Sequence, residues 1–317
     1  MALPWIDDAL LKIPPRPPFS LWLDQGFLWM TRLFAFGVVG ILIYIAISVG
    51  FDALPAIKRY GPIFLATSAW NPVDDDYGAL PMIYGTLASS LIALLLAIPI
   101  GVGTAVFLSE NFLPPKLRLI LNFMVELLAA IPSVVYGLWG IYVLIPFLKP
   151  IGAWLHEHCG WMPWFSTQYL GPGLFPAVLI LTVMILPLIT AISRDSLASL
   201  PPTLRQAALG LGATRWTTIF RVLIPAAFSG IFGGTMLALG RAMGETMAVT
   251  MVIGNSNVLS PSLLAPANTI ASLLANQFAE ARDWQVGALM YAGLVLFALT
   301  LVVNVIAEWI VSRVTYH

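Results

Sequence analysis

The chain has 317 residues, 59% of them hydrophobic and 9% charged, against roughly 25% charged residues in a soluble domain. That leaves too little polar surface for a dissolved globule and identifies an integral membrane protein. Lysine plus arginine equals aspartate plus glutamate at 15 each, which argues against a nucleic-acid surface, and the single cysteine, Cys159, excludes an internal disulfide framework.

Met1 to Asp8 carry no basic stretch followed by an apolar core, so no cleavable signal peptide is expected. Pro14, Pro15, Pro17 and Pro18 favour extended or irregular backbone. Residues 1–28 are therefore expected to form a cytoplasmic tail, and 29–317 the membrane domain. A helical crossing takes about 20 mostly apolar residues. Six stretches qualify: 32–54, 82–109, 117–147, 174–195, 226–252 and 288–311. Barrel strands would be only about ten residues long and would alternate, so the predicted fold is all-α with six transmembrane helices. The third stretch is too long for one straight crossing. Pro132, within Ile131-Pro132-Ser133, predicts a bend, a short unwound segment or a re-entrant piece there. Pro99 and Pro187 predict kinks in the second and fourth helices.

Placing the N-terminus inside puts Lys12, Arg16, Arg32, Lys116, Arg118, Arg194, Arg205, Arg215, Arg221 and Arg313 on one side. Lys58, Arg59, Lys149 and Arg282 fall on the other. This bias predicts that both termini and the 195–225 loop are cytoplasmic. The outer loops are then about 55–81, 148–173 and 253–287, and Asp74-Asp75-Asp76 reads as a solvated patch in the first.

The 195–225 loop is too polar to cross a bilayer. Pro201-Pro202 suits the first turn of a helix. Leu204, Ala208 and Leu211 then make one apolar stripe, and Gly210 and Gly212 supply a turn. A second short helix is predicted from Ala213 to about Arg221, with Ala213, Trp216 and Phe220 on one face, and Pro225 marks the entry to the fifth membrane helix. On spacing alone, an amphipathic loop lying on headgroups fits equally well. The spacing also resembles the EAA loop of ABC-importer permeases, Glu-Ala-Ala followed by Gly and then Ile-x-Leu-Pro. Gln206 stands for the Glu, Ala207, Ala208, Gly212 and Pro225 match, and Val222 and Ile224 stand for the Ile and Leu. The Gln removes a charge and any salt bridge it would make. The resemblance implies that this loop docks on a separate ATPase subunit and transmits its closure.

The fifth stretch holds Arg241 near its midpoint and Glu245 four residues on. A central arginine costs about 2.5–3.5 kcal/mol on insertion scales, so both groups are expected to face a cavity or a partner helix. One turn apart on a helix, they would pair. Gly230 and Gly234, then Gly240 and Gly244, form two steps that permit close helix approach. Two readings stand: Arg241 as a positive site for an anion in transit, with Glu245 holding or releasing it, or a structural bridge at a subunit interface. The first is favoured because charges within the membrane are functional by default.

Residues Gly240 to Asn255, with Glu-Thr-Met-Ala-Val-Thr at 245–250, resemble the phosphate-specific (Pst) importer permeases of the C-type (PstC) kind. Glu126 to Gly137 resembles them too, and the likeness runs from about residue 30 to the C-terminus. It implies a type I, MetI-like importer permease that translocates inorganic phosphate. Its implied partners are an A-type (PstA) permease, two copies of a cytoplasmic ATPase that carry ATP and Mg, and an extracytoplasmic phosphate-binding protein. It also implies a bacterial or archaeal plasma membrane, with Arg241 and Glu245 along the phosphate path.

Other features carry less. Glu126 follows Asn122 by four residues and reads as structural rather than as part of the path, because Pro132 frees backbone groups nearby. His156, His158 and Cys159 match no zinc spacing, so no metal is expected. No Gly-x-x-x-x-Gly-Lys-Ser/Thr sequence occurs, so the chain is expected to be a transport subunit without cofactor, not an enzyme. Rival readings are a permease for sulfate or molybdate, an ion-coupled secondary transporter using Glu126 and Glu245, and a non-transporting scaffold.

Overall fold

The computed structural model describes residues 18–110 and 112–315. The tail expected over 1–17 lies outside them. Helix α1 runs Pro18–Tyr60, so residues 18–28, assigned above to the tail, are helical. Pro18 stands in the first turn, where its missing N–H removes no helix bond.

The chain divides into two compact units, Met1–Phe51 and Asp52–His317. In the first, no described side chain of α1 is buried, and the surface is dominated by large apolar groups such as Trp29, Phe36 and Ile43. Such a surface suits lipid contact.

In the second unit, a small hairpin pairs β1 (Trp70–Asn71) with β2 (Asp76–Tyr77). Asp74 and Asp75 lie in its turn, Asp75 at φ 53°, and Asp76 opens β2. The helices that follow are α2 (Leu80–Ser109), α3 (Pro115–Ala130), α4 (Ser133–Trp139), α5 (Ile145–Cys159) and α6 (Leu174–Ala198). Then come α7 (Pro202–Gly210), α8 (Arg215–Thr218), α9 (Ile224–Ala226), α10 (Phe228–Gly244), α11 (Met247–Val252), α12 (Ile270–Gln277) and α13 (Trp284–Thr315).

Among the described residues, five helices are long and apolar enough to cross a membrane, and a pair bent by 68° at Ala227 makes a sixth if counted as one span. Pro99 and Pro187 sit inside uninterrupted helices. The third span is displaced from its predicted place. The chain breaks at Ile131 and Pro132, both extended, and the apolar span runs Ser133–Cys159 through a π-helical turn at Gly140–Leu144. The outer loop expected from 148 therefore begins only after Cys159. Pro150 does not end the helix. It lies inside α5, which continues to Cys159. Helix α3 becomes a separate amphipathic helix with no buried residue. The expected outer loop 253–287 contains α12, which Thr269 and Ser272 start with a reciprocal capping box.

The core lies where α2, α6 and α10 meet, around Ala93, Ala97, Ile185, Ile189 and Ala238. Small residues let the backbones approach closely, as membrane helices require. A Cβ on Gly234 would lie 2.9 Å from the Ile192 side chain, and one on Gly230 would strike Ser196. Both glycines thus seat α10 against α6. The second predicted step differs: around Gly240 and Gly244 nothing lies within 4 Å.

Candidate functional site

Helix α10 starts at the 68° bend and carries Arg241 in its last turn. A groove of about 800 Å³ runs along its open face from Ser229 past Gly233 and Met236 to Arg241. Leu188 of α6 and Asn304 and Glu308 of α13 complete the walls. The lining is mostly apolar, and Arg241 is exposed within it. The bare sides of Gly233 and Gly240 keep the groove open.

Glu245 does not sit where the i, i+4 spacing put it. Helix α10 ends at Gly244, and Glu245 adopts an extended backbone with φ −68° and ψ 122°. Its Oε1 accepts the N–H of Ala248 at 3.2 Å, which caps the first turn of α11. Among the described residues no ion pair joins Arg241 to Glu245, so the predicted bridge is corrected. A continuous helix would have aligned them, but Gly244 ends the helix and a carboxylate finds free N–H donors at the next N-terminus.

Glu126 lies on α3, with its side chain 59% exposed, and pairs with Arg194 of α6 at 3.6 Å. Arg194 also holds Asp195 at 3.0 Å. The Pro132 break beyond Glu126 is bridged differently: the Tyr136 hydroxyl donates to the Leu128 carbonyl at 2.8 Å.

The 202–226 segment forms two helical pieces about a glycine turn, as its sequence predicts. Gly212 takes φ +83°, where an L side chain is strained. Thr214 caps α8 by accepting the Thr217 N–H at 3.2 Å. The second piece extends beyond Arg221 through a π-helical turn to Ala226, and α10 begins at Phe228, two residues past the start predicted at about 226. The apolar stripe is also corrected. Ala208 is buried, but Leu211 is 89% exposed because α7 has ended at Gly210. Gln206 and Ala207 are exposed, Val222 and Ile224 are half-buried, and Pro225 is exposed. Ile219 and Leu223 anchor the segment against Ala105, Val106 and Leu197.

His156 and His158 bond backbone carbonyls of Phe165 and Trp154 through Nδ1, each at 3.0 Å. No cluster of three His, Cys, Asp or Glu with metal-ligand geometry occurs among the described residues.

Sequence reasoning passed over Asn304, Glu308 and Glu110. Asn304 and Glu308 are polar groups four residues apart in an apolar helix, a signal that was legible. Glu110 gives no such signal, because its environment depends on the long-range placement of α7.

Residues 97–316 match the family model described as "Binding-protein-dependent transport system inner membrane component". The chain is 44% identical to the phosphate transport system permease protein PstC of Mesorhizobium japonicum, covering 92% of this chain and 90% of that protein. The PstC of Haemophilus influenzae is 42% identical, covering 92% of this chain and 94% of that protein. Among solved structures, a bacterial ABC transporter involved in alginate import aligns with a TM-score of 0.60 at 19% identity, covering 93% of this chain and 99% of that chain. The inward-facing MetNI methionine ABC transporter aligns with a TM-score of 0.56 at 20% identity, covering 74% and 94%. The fold is thus that of the MetI-like ABC-importer permeases. The chain belongs to the binding-protein-dependent transport system inner membrane components and, within them, to the PstC-type permeases.

Proposed function

We propose that this chain is the permease subunit through which an ATP-driven importer moves inorganic phosphate across the plasma membrane. The main support is Arg241, exposed on the wall of a mostly apolar groove that it shares with Asn304 and Glu308, in a chain alignable nearly end to end with PstC permeases. A guanidinium offers a planar fork of donors that fits a tetrahedral oxyanion, and its charge is permanent. With Glu245 turned to the cap of α11, that fork is open to cargo.

The driving force comes from elsewhere. In this reading the segment 202–226 docks on a cytoplasmic ATPase, present as two copies, which binds ATP and Mg. A PstA-type permease completes the membrane pair, and an extracytoplasmic phosphate-binding protein delivers the cargo. Both termini lie in the cytoplasm of a bacterial or archaeal cell. Closure of the ATPases moves the segment, the bundle opens outward, and phosphate passes Arg241 and leaves inward after hydrolysis.

The test is uptake of labelled phosphate into vesicles bearing the assembled complex, with binding protein outside and ATP inside. Excess sulfate or molybdate should leave uptake unchanged. Suppression by either would keep the machine and change its cargo.

A further inference from the structure

Glu110 follows the last turn of α2 and is 6% exposed, an unusual position for a carboxylate. Arg205 of α7 donates Nη2 to its Oε1 at 2.5 Å. Arg118 of α3 donates to the Glu110 backbone carbonyl at 3.0 Å. Two residues on, Phe112 lies under the Arg215 guanidinium at 4.7 Å and against the Trp216 ring at 5.8 Å. The corner after α2 therefore grips both pieces of the cytoplasmic segment, α7 through Arg205 and α8 through Arg215 and Trp216. Gln206 and Ala207, next to Arg205, remain exposed.

A carboxylate this buried is costly without its partner, so the pair is strongly favoured to stay closed. The other end of the lever is equally firm. Gly101 brings α2 against Ile189 and Thr190 of α6, and α6 seats α10 through Gly230 and Gly234. Helix α10 carries Arg241.

We propose that Arg205 and Glu110 are a positioning pair that locks the cytoplasmic segment to the end of α2, so that the segment and α2 move as one body. This rests on the reading of 202–226 as the ATPase-coupling segment. Arg205 then supplies an inward anchor beside Gln206, the position where the loop motif carries its glutamate.

The experiment uses the assembled transporter with Cys159→Ser and spin labels at Thr203→Cys and Ile100→Cys. Both label sites are exposed, one on α7 and one on α2. The distance is read without nucleotide and in the vanadate-trapped state, and phosphate carried per ATP is measured in parallel. The parent should give the same narrow distance in both states. Glu110→Gln and Arg205→Met should broaden or shift it on trapping and lower phosphate per ATP about fivefold or more. Arg205→Lys, which keeps the charge, should fall between. A parent distance that changes between states would overturn the proposal, as would variants that keep both the parent distance and the parent ratio. A purely structural pair would lower hydrolysis and uptake together, leaving the ratio unchanged, and that too would overturn it. If the parent itself carries no phosphate, the cargo reading fails, and the distance still decides the fate of the pair.

Discussion

Arg241 and Glu245 stand on opposite sides of a helix break: Arg241 lies in the last turn of α10, and the Glu245 carboxylate caps α11 through the Ala248 N–H at 3.2 Å. The two groups are thus separable by mutation. Glu245→Gln keeps an oxygen acceptor for the cap, whereas Glu245→Ala removes it. Loss of such a cap costs about 1 kcal/mol. The Ala248 amide should exchange hydrogen about fivefold faster in Glu245→Ala and at the parent rate in Glu245→Gln. Glu245→Gln should still transport. Abolished uptake with unchanged exchange would show that the negative charge itself acts on the cargo.

Gly212 turns the 202–226 segment at φ +83°, with nothing within 4 Å of a Cβ built there. Any cost of substitution therefore comes from the backbone, about 1–2 kcal/mol for an L residue in that region. Proline, fixed near a φ of about −65°, cannot adopt it at all. Gly212→Pro should leave ATP hydrolysis running while phosphate carried per ATP falls. Normally coupled uptake would contradict the docking assignment.

Glu126 is 59% exposed and 3.6 Å from Arg194, which keeps a second carboxylate in Asp195. A pair so open contributes less than about 1 kcal/mol. Glu126→Gln should retain uptake within about twofold of the parent. Abolished uptake in an assembled complex would place Glu126 on the phosphate path.

Tyr169 lies between α5 and α6, 7% exposed, its hydroxyl without a hydrogen-bond partner among the described residues. Burial pushes its phenol up to about 12 from the usual 10.0. A raised value favours the neutral form in the folded state. That contribution is fully present below pH about 10 and is lost as pH rises through about 12. Thermal stability should therefore fall over that window in the parent and fall less in Tyr169→Phe. Equal losses in both proteins would show that Tyr169 is not the group responsible.

Most of the membrane helices and the two-piece 202–226 segment were legible because apolar length, proline and glycine act locally. The break at Pro132 was legible for the same reason. What sequence could not give was set at longer range or by competition for partners. Glu245 had a choice between the Arg241 side chain and the free N–H groups of the next helix, and spacing alone favours the wrong one. Leu211 fits a helical stripe until the helix stops one residue before it. Glu110 is ordinary in sequence and becomes a buried anchor only because Arg205, 95 residues away, folds onto it. The Arg241 groove was half visible: its cation was marked, but Asn304 and Glu308 on α13 enter it only through packing.

Labelled phosphate uptake by the parent and by Arg241→Gln, compared at equal assembly and with ATP hydrolysis followed in the same vesicles, tests the central claim most directly. The parent should take up phosphate only with ATP. Arg241→Gln should assemble and hydrolyse ATP yet lose at least about tenfold in uptake, as expected for losing a charge-assisted contact with the anion. Uptake by Arg241→Gln at the parent rate, or a fully assembled parent that hydrolyses ATP and moves no phosphate, would contradict it.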